Sequence, residues 1–163
     1  MVFRNVALIA ATTASGLAAG LFYSFSCAVM PGLRQVDDRT FIDAMQRINV
    51  AILNGWFALS FGGALVLTVL AAVLEWRAGT KAVAFWIAVA VVLYVAVLLI
   101  TFAVNVPLND QLEAAGAPSG IADLAAVRAR FETSWVRWNV VRAVLSTASF
   151  VALAYAVLRR SEA

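Results

Sequence analysis

The sequence predicts an all-α integral membrane four-helix bundle, and three observations carry that expectation. No Asp, Glu, Lys or Arg occurs from Asn5 to Leu33, from Ile48 to Leu74, or from Ala82 to Asn109, and a fourth uncharged run covers Ala143 to Leu158. A helix crosses a bilayer core with about 20 consecutive apolar residues, so three runs suffice alone and the fourth must begin before Arg142. Of 163 residues, 64% are hydrophobic and 13% charged; soluble domains carry about 25% charged residues, and one soluble core could not hide so much apolar surface. Finally, the polar residues inside the runs gather toward one end of the implied bundle. The chain reads as a single four-span domain over 1–163.

The first span is expected near residues 5–30. Arg4 ahead of Val6–Ala19 has the look of a signal peptide, with Leu17-Ala18-Ala19 as a cleavage site. The apolar run continues to Met30, however, beyond an h-region of about 7–15 residues, which predicts an uncleaved span. Thr12, Gly16, Gly20 and Ser24 recur every four residues and form a ridge of small side chains suited to close helix packing. Cys27 is expected to be a small, buried packing residue. Ser24, three residues earlier, stands where a lipoprotein site would carry Leu.

Beyond Pro31, Asp37 and Asp38 can cap an amphipathic helix bearing Phe41, Met45, Ile48 and Ile52, with Thr40-x-x-Asp43 as an approximate capping box. This helix is predicted to run directly into the second span, near 50–74. A short positive turn, Glu75 to Lys81, leads to the third span, near 82–105. Pro107 is expected to break that span and free carbonyls near Ala103. After the Gly/Pro/Ala loop Ala114–Gly120, Ser119 should cap a second amphipathic helix with Ile121, Leu124, Val127 and Phe131 on one face. That helix also continues into its span, near 136–158.

Arg4, Arg77, Lys81, Arg159 and Arg160 crowd the short side that carries both termini, whereas the opposite side spreads its Arg residues over longer loops. By the distribution of Lys and Arg in short loops, this predicts a multi-pass protein of the cell membrane with both termini cytoplasmic. Trp56, Trp135 and Trp138 would then anchor the outer interface, and Trp76 and Trp86 the inner one. The block Phe41–Val50 aligns without gaps to Phe131–Val140, with Phe, Arg, Asn and Val coinciding. Each block follows a span that ends near a proline. This pattern suggests a parallel internal repeat about an axis along the membrane normal, with Asn49 facing Asn139.

Composition removes several function classes. The net charge of +3 is small and its arginines scattered, unlike a nucleic-acid-binding surface. One cysteine and no histidine rule out an internal disulfide and a dithiol relay, and remove the usual haem, iron, copper and zinc ligand sets. No metal and no other cofactor is expected.

The outer ends of the four spans hold the candidate site. Tyr23, Ser24 and Ser26 come from the first; Asn49 and Asn54 from the second; Asn105, Asn109 and Asp110 from the third; Trp138, Asn139 and Arg142 from the fourth. The inner halves contain almost nothing polar except Thr68 and Tyr155. An arginine below the membrane boundary is costly, so Arg142 either snorkels, pairs with Asp110 to lock the bundle, or points into a cavity toward an anionic ligand. Five asparagines around one rim exceed what helix packing needs and predict a small outward-opening pocket.

Gly20-Leu-Phe-Tyr-Ser-Phe-Ser, Met30-Pro31-Gly32, Met45-Gln-x-Ile-Asn49, Asn105-Val-Pro-Leu-Asn109-Asp110 and Trp135-x-x-Trp138-Asn139-x-x-Arg142 together resemble small four-span membrane proteins, largely bacterial, grouped with the anthrone oxygenases. The resemblance spans essentially the whole chain. It implies oxidation of an anthrone-type polyketide to an anthraquinone with dioxygen and without metal or flavin. An anthrone methylene is acidic, so its enolate can donate an electron to dioxygen once a base, an oxyanion site and a dry cavity are supplied. In that reading Asp110 is the base, Asn105, Asn109 and Asn139 donate to the oxyanion, and Arg142 is the counter-charge. Tyr23 and Trp138 flank the ring, and Asn49 and Asn54 complete the rim. The expected partners are the lipid bilayer and a hydrophobic aromatic or quinone-like molecule. The alternative is a non-catalytic membrane scaffold whose rim only clamps the helices. Transport would require a homo-oligomer.

Overall fold

The computed structural model describes residues 2–161, all of its regular elements helical. Helix α1 (Val2–Ser24) continues through a π-helical turn (Phe25–Val29) into the single-turn α2 (Met30–Leu33). Then come α3 (Asp38–Ala51), α4 (Gly55–Arg77), α5 (Lys81–Ile100), a second π-helical turn (Thr101–Asn105), α6 (Val106–Ala114) and α7 (Leu124–Ser161). Four stretches are long and apolar enough to cross a membrane: Val2–Leu33, Gly55–Arg77, Lys81–Ala114 and Leu124–Arg160. The protein is thus an all-α, multi-pass membrane bundle; the first, third and fourth spans extend beyond the boundaries expected from the uncharged runs, whereas the second begins at Gly55 rather than near 50.

The four long helices form a ring in which α1 packs on α4 and α7, and α5 packs on the same two. Three buried layers fill it. Leu8, Ala11, Ala71, Ile87, Leu153 and Ala156 pack near the termini. Ala18, Phe22, Phe61, Ala64, Tyr94 and Val97 pack in the middle. At the opposite, loop-bearing end, α3 and α6 add Phe41, Ile42, Met45 and Leu112 to Phe25, Met30, Phe131 and Trp135.

Local chemistry accounts for the helix ends. Asp37 caps α3, accepting from the Thr40 backbone N–H at 3.1 Å and the Thr40 hydroxyl at 2.6 Å; the Thr40 hydroxyl, with its backbone N–H, holds the Asp37 carboxyl below its usual value. Asp123, rather than Ser119, caps α7 by accepting from the Ala126 N–H at 2.9 Å.

The two amphipathic helices behave differently. The second runs unbroken into the fourth span, as expected. The first stops at Ala51, and Ile52-Leu53-Asn54 make an elbow before α4. Asn54 starts α4 by accepting from the N–H groups of Trp56 and Phe57 at 3.0 and 3.1 Å.

Neither proline breaks its span. Pro31 and Pro107 each lie one residue beyond a π-helical turn. The wider i→i+5 turn absorbs the missing donor and keeps the rod helical. Glu75, expected in the turn, is the last buried residue of α4 and meets Arg4, Arg160 and Thr80. The turn proper needs Gly79, at φ +79°, a conformation that glycine adopts without strain. Cys27 is exposed rather than packed, and Trp135 is buried rather than an interface anchor. The small-residue ridge divides: a Cβ at Gly16 would lie 3.1 Å from the Phe150 ring, whereas Gly20 faces open space.

Exchanging α1 with α5 and α4 with α7 maps the ring onto itself, and the two π-turn–proline segments occupy equivalent places. The aligned residues Phe41 and Phe131 touch each other, ring centroids 6.2 Å apart.

Candidate functional site

A cavity of about 280 Å³ lies between the middle layer and the loop-end layer, where α1, the elbow, the second π-turn, α6 and α7 converge. The second π-turn and α6 supply Thr101, Asn105, Asn109 and Glu113, spaced four residues apart on one face. Helix α7 supplies Trp135, Asn139 and Arg142, again one face of a 3.6-residue helix. Helix α1 contributes Phe22, the end of α3 contributes Asn49 and Val50, and the elbow contributes Ile52 and Leu53.

Arg142 is 5% exposed, and its guanidinium is held on three sides. One terminal nitrogen donates to Asn139 Oδ1 at 2.9 Å and the other to Thr101 Oγ1 at 3.3 Å. Its carbon sits 4.5 Å from the Phe22 ring centroid and 5.6 Å from that of Trp135, a cation–π arrangement on both. Asn139 is itself fixed, donating from Nδ2 to the Phe22 carbonyl at 3.0 Å and to Ser26 Oγ at 2.9 Å. Among the described residues no carboxylate lies within ion-pairing distance of Arg142, and its Nε–H has no partner.

Two further buried polar atoms at the cavity are unpartnered: Asn49 Nδ2 and Asn105 Oδ1. Asn105 is 1% exposed, and its orientation is fixed because Nδ2 donates to the Trp135 carbonyl at 3.3 Å. The amide therefore presents an acceptor. Asn109 accepts from Trp135 Nε1–H at 2.8 Å, which locks the indole. The cavity thus offers a cationic donor, an amide donor and an amide acceptor within mostly apolar and aromatic walls. Buried polar groups are nearly always paired, so three open ones around a single cavity suit a polar, flat ligand.

Of the residues singled out from sequence, Asn49, Asn105, Asn109, Asp110, Asn139 and Arg142 all line this cavity. Tyr23, Asn54 and Trp138 do not. Tyr23 is 61% exposed, because one helical step turns it about 100° from Phe22. The Asn54 amide is used as the α4 cap. Trp138 lies off the Trp135–Asn139–Arg142 face. Asp110 is exposed at the mouth and makes no ion pair with Arg142. Phe22, Thr101, Trp135 and Glu113 are additions. Four-residue spacing from Asn105 and Asn109 points to Thr101 and Glu113, and the Asn139–Arg142 face points to Trp135. Phe41, Met45, Leu112 and Phe131, buried together at the loop end, do not line it.

The family model described as anthrone oxygenase matches residues 55–152, more than half the chain, including Asn105, Asn109, Asn139 and Arg142. No curated protein matches the chain, and no solved structure does. Family match, four apolar spans and a polar cavity among them agree: the chain belongs to the anthrone oxygenase family.

Proposed function

We propose that the protein binds a hydrophobic aromatic or quinone-like molecule in this cavity and oxidises it with dioxygen, without a cofactor. The observation that carries the reading is Arg142, a buried guanidinium that lines the cavity and, among the described residues, has no carboxylate partner and none for its Nε–H. For an anthrone, a carboxylate at the mouth, Asp110 with Glu113 beside it, takes a methylene proton. The resulting enolate oxygen is held by Arg142 Nε–H and Asn49 Nδ2, and a ring hydroxyl donates to Asn105 Oδ1. The enolate passes one electron to dioxygen, the two radicals join in a carbon–oxygen bond, and the carboxyl returns its proton to the peroxide anion. The hydroperoxide then loses water, breaking the second C–H and the O–O bond. One anthrone and one dioxygen give one anthraquinone and one water. Asn139 and Thr101 position the guanidinium, and the aromatic roof and apolar walls exclude water, which strengthens these polar contacts. We place both termini in the cytoplasm on the density of Lys and Arg at that end.

Oxygen uptake by the purified protein with anthrone tests the reading: uptake above the protein-free rate supports it, and equal rates reject it. Asn105→Ala is expected to lower the rate while leaving the bundle folded. The second reading, a non-catalytic scaffold, is favoured by Asn139, which ties α7 to α1 through the Phe22 carbonyl and Ser26. A scaffold would show no uptake and a large fall in melting temperature when Asn105 or Asn139 is truncated.

A further inference from the structure

We propose that the cavity takes its ligand sideways from the lipid bilayer, through a portal between the α3–α4 elbow and α6, and that Val50 and Leu53 set which molecules pass. The proposal rests on the reading of the cavity as a site for a hydrophobic aromatic ligand.

Four observations support it. At the loop end the bundle axis is filled by a roof of buried side chains, Phe41, Ile42, Met45, Leu112 and Phe131, none of which lines the cavity. That roof is pinned across the α3–α6 gap: Gln46 Nε2 donates to the Leu112 carbonyl at 2.9 Å and the Gly116 carbonyl at 3.0 Å. Below this clip, lining residues reach the flank of the bundle. Val50 is 65% and Leu53 78% exposed while lining the cavity, and the exposed Trp56 lies one turn further along, as an interfacial tryptophan would. A large exposed apolar rim faces lipid at no cost and water only at a penalty.

The fourth observation comes from the repeat. In the register that aligns Phe41 with Phe131, Ile52 falls where Arg142 does. The second half keeps a continuous helix there and aims a cation inward. The first half breaks its helix at the same point and ends its main-chain pairing in a tight turn, Leu53 N–H to the Val50 carbonyl at 3.1 Å and Asn54 N–H to the Ile52 carbonyl at 2.8 Å. One repeat unit supplies the polar floor and the other opens the wall. The opposite lip carries Asp110 and Glu113, both exposed. The mouth is therefore apolar on one side and acidic on the other, as suits a boundary between hydrocarbon and headgroups. The occupant is a flat, lipid-dissolved aromatic that carries an acidic oxygen.

The test uses the full chain in phospholipid vesicles with a hydroxyanthraquinone probe, whose visible absorption shifts when its hydroxyl is bonded or ionised beside a guanidinium; protein-free vesicles are the blank. Added from water by rapid mixing, the probe is expected to bind at the rate at which it accumulates in the bilayer, not at a rate set by its initial concentration in water. In a Cys27→Ser background, Leu53→Cys carrying a bulky maleimide, attached after reconstitution, should slow association and dissociation alike by about tenfold, with the final absorbance change intact. Val50→Cys treated the same way should agree, and labelled Cys27→Ser alone should match the unlabelled protein. A rate that follows the aqueous probe concentration overturns the portal. So does labelled Leu53→Cys with unchanged rates, or one with a smaller final change at unchanged rates, which would make Leu53 site wall rather than mouth. Probe binding through the elbow without oxygen uptake on anthrone would uphold the portal and reject the oxygenase reading. Oxygen uptake on anthrone that labelled Leu53→Cys leaves unslowed would do the reverse, and absence of probe binding would reject portal and site together.

Discussion

Arg142 differs from Arg4, Arg128 and Arg160 in that its contacts among the described residues are neutral. Arg4, Arg128 and Arg160 all meet carboxylates, while Arg142 has an amide oxygen, a hydroxyl and two ring faces. A buried ion without a counter-charge carries a desolvation penalty of several kcal/mol, and removing it removes that penalty. Arg142→Leu is therefore expected to leave the melting temperature in detergent unchanged or raised, while oxygen uptake on anthrone falls about a hundredfold or more, as for loss of an oxyanion-site donor. Arg142→Lys keeps the charge but loses the planar fork. A lysine cannot hold Asn139 and Thr101 while presenting a third donor, so its activity should resemble that of the leucine variant. Circular-dichroism melts beside an oxygen electrode check both; equal falls in stability and none in activity would mark Arg142 as a helix clamp. The sequence exposed Arg142 because no fourth span of adequate length omits it. It did not reveal Phe22 and Trp135 over Tyr23 and Trp138, because side-chain chemistry favours a phenol or an outer indole, whereas helical rotation decides which ring faces the cation.

Helices in this chain are shaped by features that hydropathy does not encode. The uncharged runs located all four spans, but they end at the first charge, so Glu75 looked like a loop residue. Its carboxylate is buried because Arg4 from α1, Arg160 from α7 and Thr80 from the turn converge on it, Arg4 and Thr80 donating at 3.2 and 2.6 Å and Arg160 forming an ion pair at 2.9 Å. Pairing between positions so distant leaves no periodic trace. Glu75→Gln leaves two arginines facing each other without their counter-ion. It should destabilise the bundle by about 3–5 kcal/mol, read as a lower midpoint in a mixed-micelle denaturation series, with the cavity's affinity for ligand unchanged. Asn54 offers a matched control from the other end. Its side chain only begins α4, so Asn54→Ala should cost about 1 kcal/mol and likewise spare ligand affinity; a selective loss of affinity would place Asn54 in the site. The elbow itself was illegible, since Ile48 and Ile52 continue the apolar face of α3 and only the cap chemistry of Asn54 announces a new helix.

The four-in-ten identity between the Phe41 and Phe131 blocks was a thin sign of duplication, and the geometry strengthens it. Equivalent π-turns precede equivalent prolines, and the aligned phenylalanines meet. Asn49 and Asn139 border one cavity. Each half is then a helical hairpin, α1 with α4 and α5 with α7, able to insert alone and associate afterwards. The halves are joined by the turn at Ala78–Thr80, and two side-chain hydrogen bonds tie them laterally: Asn139 to the Phe22 carbonyl and Tyr94 to the Phe61 carbonyl. The cavity draws Phe22, Asn49 and Leu53 from the first half and Asn105, Trp135 and Arg142 from the second. Chains divided after Gly79 and co-expressed should therefore purify as a pair and bind the hydroxyanthraquinone probe, whereas neither half alone should bind it. Arg4 and Arg160 reach the same carboxylate from different halves, so Glu75→Gln should weaken the split pair far more than the intact chain, where the turn still holds the hairpins together. Halves that fail to co-purify would show that the covalent turn, and not the interface, carries the assembly. Probe binding by the second half alone would show that its polar floor suffices without the elbow.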